Sequence, residues 1–152
     1  MQISQDVINF LTNQGFVIVS TIDAKGYAHS ACKDIIKVKV EGKVFLLDVY
    51  HAETYKNLVH NPHVSITAVN EHKFSGYCLK GKARLVSKEE LTADILKAWE
   101  DKIAGRLAQR LLRNIHEEKG HKAHPEALLP DPKYMIEIDI EEIVDLTPKN
   151  IK

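Results

Sequence analysis

Apolar residues recur along this chain at two spacings. Residues 4–14 (SQDVINFLTNQ) carry Val7, Ile8 and Leu11 at i, i+1, i+4, the stripe of an amphipathic helix. Ser4 suits its N-cap. Gly15 suits the C′ position, where a left-handed backbone is cheap only for glycine. From residue 16 the period shortens. FVIVSTI (16–22) is a β-branched run and predicts a strand. DAKG (23–26) predicts a turn into a second strand over 27–33. DIIKVKV (34–40) alternates in its second half, with Ile36, Val38 and Val40 on one face, and predicts a third. Glu41-Gly42 is a hairpin signal, and VFLLDV (44–49) returns as a fourth strand. HAETYKNLVHNP (51–62) then predicts about two turns of polar helix, stopped near Pro62 because proline disfavours a helical residue before it.

VSITAV (64–69) predicts the next strand, and EHKFS a polar loop. GYCLKGKARLV (76–86) alternates, with Tyr77, Leu79, Gly81, Ala83 and Leu85 on one face and Lys80, Lys82 and Arg84 on the other. Its two glycines suggest a bend or a close backbone approach. Ser87 with Glu90 makes a capping-box pattern. A helical region is expected from Lys88 to about Lys119, weakest at Gly105. After a loop with Pro125, Pro130 and Pro132, YMIEIDI (134–140) alternates as the last strand, with EEIVDL a candidate extension. The sum is six or seven short antiparallel strands with one helix before them and a long one late. Such strands favour a closed or partly closed barrel over an open sheet with two exposed edges. The expected class is mainly β with flanking helices (α+β).

Composition narrows the function classes. At 152 residues the chain has the size of one domain, taken here as 1–152. Lys plus Arg (21) equals Asp plus Glu (21), which argues against a general nucleic-acid binder. No aromatic residues interleave with Lys80, Lys82 and Arg84, so that face is expected to be solvated. No apolar run approaches the roughly 20 residues of a bilayer span, so no membrane partner is expected. The N-terminus lacks a cationic n-region, so no signal peptide is expected and a cytoplasmic setting follows. Cys32 and Cys78 lie in no metal-ligand spacing.

The chemistry concentrates in residues 51–62. If the helix starts near Glu53 or Thr54, its first-turn amides have no intrahelical partner, and a phosphate there would also meet Thr54 and the Lys56 ammonium. The alternative is a solvated connector capped by Thr54. His116, His121 and His124, with Glu117 and Glu118, could hold a divalent metal or an iron porphyrin, or could be plain surface. A lone strand cysteine such as Cys32 is more often a small buried hydrophobe than a redox group. Trp99, with Ile95, Lys102 and Ile103, suits core or dimer packing.

The order of these elements adds a resemblance. A strand pair, a hairpin at Glu41-Gly42, TYKNLVHNPHV (54–64), a strand and then GYCLKGKARLV resemble the pyridoxamine 5′-phosphate oxidase-like superfamily of FMN-binding split β-barrels. The matching residues are Thr54, Lys56, Asn61, Pro62 and Val64; the departure is Tyr55, where many members have a second basic residue. The resemblance covers residues 5–88 well and 134–147 loosely. It implies a six- to seven-stranded antiparallel split β-barrel, a homodimer and FMN at the subunit interface. The phosphate would be held by Thr54 and Lys56, with Tyr55 at the neighbouring contact. The isoalloxazine ring would lie along the backbone of Ala31, Cys32, Lys33 and Asp34, with Leu46 and Leu47 lining the same groove. The expected activity is flavin oxidoreduction or electron transfer on a small molecule. The end EEIVDLTPKNIK carries no arginine or tryptophan, which argues against pyridoxamine phosphate oxidation itself. The alternatives are a haem- or metal-handling barrel and a cofactor-free, non-catalytic dimer.

Overall fold

A computed structural model describes residues 1–48, 52–115 and 134–150. Its elements are α1 (Gln5–Thr12), β1 (Val17–Ile22), β2 (Ala28–Lys39), β3 (Lys43–Leu47), α2 (Glu53–His60), β4 (His63–Asn70), β5 (Ser75–Ser87), α3 (Ala93–Ile115) and β6 (Tyr134–Asp145). The six strands close into one antiparallel barrel in the order β1-β2-β3-β6-β5-β4. Closure leaves no strand with an unpaired edge.

The expected strands over 27–33 and 34–40 are one strand, β2. Its pairing with β3 shifts register between Ile35 and Lys37. This bulge explains the change of phase in the apolar pattern, because an extra residue bends the strand and re-aims its side chains without a turn. Ile35 points into the barrel and Ile36 packs outside it, so Ile36 does not share a face with Val38. Ser4 caps α1 as expected, its Oγ accepting from the Val7 amide at 3.5 Å. Gly15 is not the left-handed terminator: Asn13 is the C-cap, in the right-handed region. Gly42 does require glycine. Its φ is +93°, and a Cβ there would lie 2.1 Å from the Met1 carbonyl oxygen.

The barrel interior collects Val17, Val19, Leu46, Ile66, Leu79 and Ile136, with Leu11 of α1 closing one end. A second cluster lies outside the barrel, where Leu91 and Ile95 cover Phe45, Leu47, Val86 and Met135. β3 is therefore buried on both faces, which suits the unbroken apolar run Val44–Leu47. Burying Ile95 to 1% exposure contributes roughly 1.5–3 kcal/mol toward seating α3. The capping box forms, with Glu90 accepting from the Ser87 N–H and Oγ at 3.0 Å each. It opens a 3₁₀ turn over Lys88–Glu90, and α3 starts only at Ala93. Gly105 does not interrupt α3. Residues 116–119 of the expected helix lie outside the described residues.

The cationic face of β5 is solvated, as expected, and each cation pairs with a carboxylate of β6. Lys80 meets Glu142 at 3.1 Å, Lys82 meets Glu141 at 3.5 Å and Arg84 meets Glu137 at 3.2 Å. Between them Gly81 lets the strands close: a Cβ there would lie 2.0 Å from the Asp139 carbonyl oxygen, beside a register shift at Lys80/Gly81. No helix among the described residues is long and apolar enough to cross a membrane.

Candidate functional site

α2 forms just after β3 and is held over β1. The Asn57 side chain donates to Thr21 Oγ1 at 3.0 Å, with both residues buried. Leu58 enters the barrel core. Asn61 ends the helix, its N–H bonding the Asn57 carbonyl at 2.8 Å. Its side chain accepts from the His63 amide at 3.0 Å, and the Pro62 carbonyl accepts from Ala83 at 2.8 Å. The Asn-Pro pair thus turns the chain from α2 into β4 and ties it to β5.

The N-terminal end of α2 has Ala52 at the cap position and no side-chain cap. Thr54 is not a cap; it is 2% exposed. Lys56 is well exposed and donates to Glu53 Oε1 at 2.6 Å. That bond is the first cause holding the Glu53 carboxyl below its usual range. Both groups face water, where such a pair adds little to stability. Tyr55 turns the other way. Its ring packs on Tyr134 at 5.2 Å between centroids and 70° between planes.

Beneath Tyr55 lies a charged network that the sequence pattern did not reveal. Lys33 donates to Asp48 Oδ1 at 2.5 Å, and Tyr134 donates its hydroxyl to Asp48 Oδ2. The Asp48 side chain has no exposed surface and Lys33 only 10%. Burial, and then the bond to Asp48, push the Tyr134 hydroxyl above its ordinary pKa. One signal was available: an aspartate ending the apolar run VFLLDV needs a buried partner.

The segments named along β2 and β3 are neighbours in the sheet. Asp34 pairs with Leu47 and Ile35 with Leu46 across β2 and β3. Ala31 and Cys32 pair with Val19 and Ile18 of β1. Cys32 is exposed, contrary to the expected buried cysteine. Leu46 and Leu47 do not present their side chains to one groove: Leu46 is in the barrel core and Leu47 lies under α3. Asp34 is held from α3, where Arg106 bonds its carboxylate and Lys102 approaches Oδ1 to 3.8 Å. Lys102 also donates to the Ile35 carbonyl. Burial pulls the Lys102 ammonium below its ordinary pKa, with Asp34 opposing the shift. Trp99 packs against the second cluster, as core packing predicts, with its ring N–H buried and unpartnered. No group of three potential metal ligands converges among the described residues. His116, His121 and His124 lie outside them.

Comparisons with known proteins agree with this architecture. No curated protein sequence matches the chain. Among solved structures, the barrel is similar to HupZ of Group A Streptococcus (20% identity, TM-score 0.63, covering 95% of this chain and 94% of that one). It is also similar to HutZ, the haem storage protein of Vibrio cholerae (16%, TM-score 0.58, 95% and 94%). An F420 reductase shares the fold at 11% identity and a TM-score of 0.58, over 93% and 98%. At these identities the likeness is one of fold. The family model for pyridoxamine 5′-phosphate oxidase matches residues 3–146, and the chain belongs to that family.

Proposed function

We propose that this protein is an FMN-binding homodimer of the pyridoxamine 5′-phosphate oxidase group, performing oxidoreduction or electron transfer on a small molecule. The observation that carries the reading is the end of α2. Its first-turn amides have no side-chain acceptor among the described residues, and Lys56 stands beside them in water. An uncapped helix terminus with a lysine suits a phosphate, because unpaired N–H groups and the helix dipole both favour an anion. Ala31–Asp34 and the end of β3 lie at the same end of the barrel, where the ring would run. The residues fit the group with Lys56 as the cation and the backbone of α2 as donor, and with Tyr55 withdrawn toward Tyr134. FMN would supply the electron chemistry; the chain would supply orientation and electrostatics. Exposed Phe16, Ile18 and Val69, and Leu107, Leu111 and Ile115 on α3, support a partner subunit. A second copy would give twice 17.2 kDa in analytical ultracentrifugation.

FMN titration followed by flavin fluorescence tests the reading. Lys56→Ala should weaken FMN by about 1.5–3 kcal/mol, the range for a hydrogen bond to a charged group. Unchanged affinity in that variant, or no uptake of FMN by the wild type, overturns it.

A second reading, haem handling, is favoured by one feature. Among the described residues, the N-terminal end of α2 has a single cation, paired with Glu53, and its neighbour Tyr55 faces the barrel. HutZ, which shares the fold, is a haem storage protein. Under this reading added haem gives a Soret shift that is lost when His116, His121 and His124 are all changed to Ala.

A further inference from the structure

Asn70 and Ser75 are the last pair between β4 and β5, and residues 71–74 link them. The link is ordered by Asn70, whose Oδ1 accepts from the Lys73 amide at 3.0 Å. It ends on Phe74, at φ +48°, the one non-glycine residue with a positive φ among the described residues. Glycine or asparagine takes that conformation at little cost, whereas a bulky side chain is strained there. Phe74 is also 68% exposed, so burial within its own chain does not offset the strain. An aromatic ring fixed on an ordered turn and left in water suits an anchor for a partner.

A receptor for such a ring lies beside it. An open groove of about 400 Å³ runs over the outer face of β1 and β4, from Gln14, Gly15 and Phe16 to Glu71 and His72 of the turn. Its apolar lining is Phe16, Ile18 and Val69, with Phe16 59% and Val69 55% exposed. Glu71 and His72 are its only titratable lining residues, and they face each other at 3.6 Å. The groove therefore favours an apolar group over an ion. Phe74 does not line the groove of its own chain, although the turn that carries it does.

We propose that the occupant is a second copy of this chain, with the Phe74 ring of each subunit seated in the groove of the other. A twofold interface is self-complementary: where one residue meets another, the reverse contact forms as well. A projecting ring next to an apolar groove meets that condition. A twofold axis between them fills both grooves and covers both rings at once. Phe16, Ile18 and Val69 belong to the face already assigned to a partner subunit, and Phe74 extends that face to the tip of the turn. The inference rests on the homodimer reading and deepens it by naming the contact.

The test is analytical ultracentrifugation of the full chain over a dilution series. Wild type should sediment as a dimer, twice 17.2 kDa. Phe74→Ala should weaken the dimer at least about thirtyfold, because the symmetry removes two buried rings at once. Val69→Asp should weaken it from the groove side by a similar factor. Phe74→Gly should dissociate as Phe74→Ala does, yet melt at a higher temperature at the same concentration, because glycine adopts the positive φ freely. That pair separates loss of the contact from loss of the fold. A Phe74→Ala dimer as tight as wild type means that something other than a second copy covers the ring; it overturns the proposal and leaves the homodimer in place. A Val69→Asp dimer as tight as wild type removes the groove as receptor and overturns it too. A wild type that sediments as a monomer at all concentrations overturns the homodimer reading, and this inference with it.

Discussion

The buried network of Lys33, Asp48 and Tyr134 predicts a thermodynamic cycle with an unusual sign. Asp48→Leu removes a carboxylate with no exposed surface and strands the Lys33 ammonium, itself 10% exposed. Breaking a buried pair on one side costs about 3–5 kcal/mol, because the remaining charge keeps its desolvation penalty and loses its partner. Lys33→Met is the mirror experiment and should cost about the same. For a domain of this size, 3–5 kcal/mol lowers the melting temperature by roughly 6–20 °C. The double variant removes both charges. It still takes the Tyr134 hydroxyl's acceptor away, so it should lie about 1.5–3 kcal/mol below wild type, well above the sum of the single losses. Tyr134→Phe, which takes only the hydroxyl from Asp48, should cost about 1.5–3 kcal/mol. The assay is urea denaturation monitored by Trp99 fluorescence, with the m-value checked for two-state behaviour. Single losses below about 1 kcal/mol, or a double variant as unstable as the sum, refute the claim that the pair is desolvated.

Two further outcomes test the fold. Gly81→Ala should destabilise by at least about 1–3 kcal/mol in the same assay, because its Cβ would press on the Asp139 backbone rather than on a movable side chain; a neutral result refutes the close approach of β5 and β6. Glu90→Gln should weaken the 3₁₀ turn before α3. The Glu90 carboxyl is held below its ordinary pKa, first by the Ser87 amide. Its stabilisation is therefore present above the unfolded-state value, 4.5, and is lost as pH falls through the lower folded-state value. Wild type and variant should differ at pH 7 and converge in acid; a gap unchanged between pH 7 and 3 refutes the cap.

Legibility differed between the fold and the site. β1, α2, β4 and β5 were readable because each carries a clean period with a turn or proline at its border. The linear pattern splits β2 into two strands because the bulge at Ile35–Lys37 shifts the apolar phase as a boundary would. Gly15 looked like a helix terminator by type, but Asn13 ends α1 first and no positive φ is needed. Around α2, Thr54 and Lys56 stand out from local spacing and Asn61 and Pro62 from the resemblance; Thr54 proves buried and Lys56 exposed. Asp48, Tyr134, Lys102 and Arg106 do not stand out in either way. Their partners lie 15 to 91 residues away along the chain, and pairing at that separation follows from the strand order, which a linear pattern does not encode. Cys32 illustrates the limit: its strand was predicted, but its exposure depends on the outer face of β2 being left uncovered there.

The charges at this end of the barrel fall into two groups, and the difference decides which can serve a ligand. Lys33 cannot leave Asp48 without stranding a buried carboxylate, at a cost of several kcal/mol. No phosphate contact repays that, so Lys33 is a structural cation even though it lies in the segment expected to follow a flavin ring. Lys56 is tied to Glu53 only through water-exposed groups, so it exchanges that partner readily. Lys102 bonds the Ile35 carbonyl and lies 3.8 Å from the Asp34 carboxylate, so it too serves the fold. Of these three lysines, Lys56 is the one that can change partner without stranding a buried group, so the proposed phosphate contact falls to it.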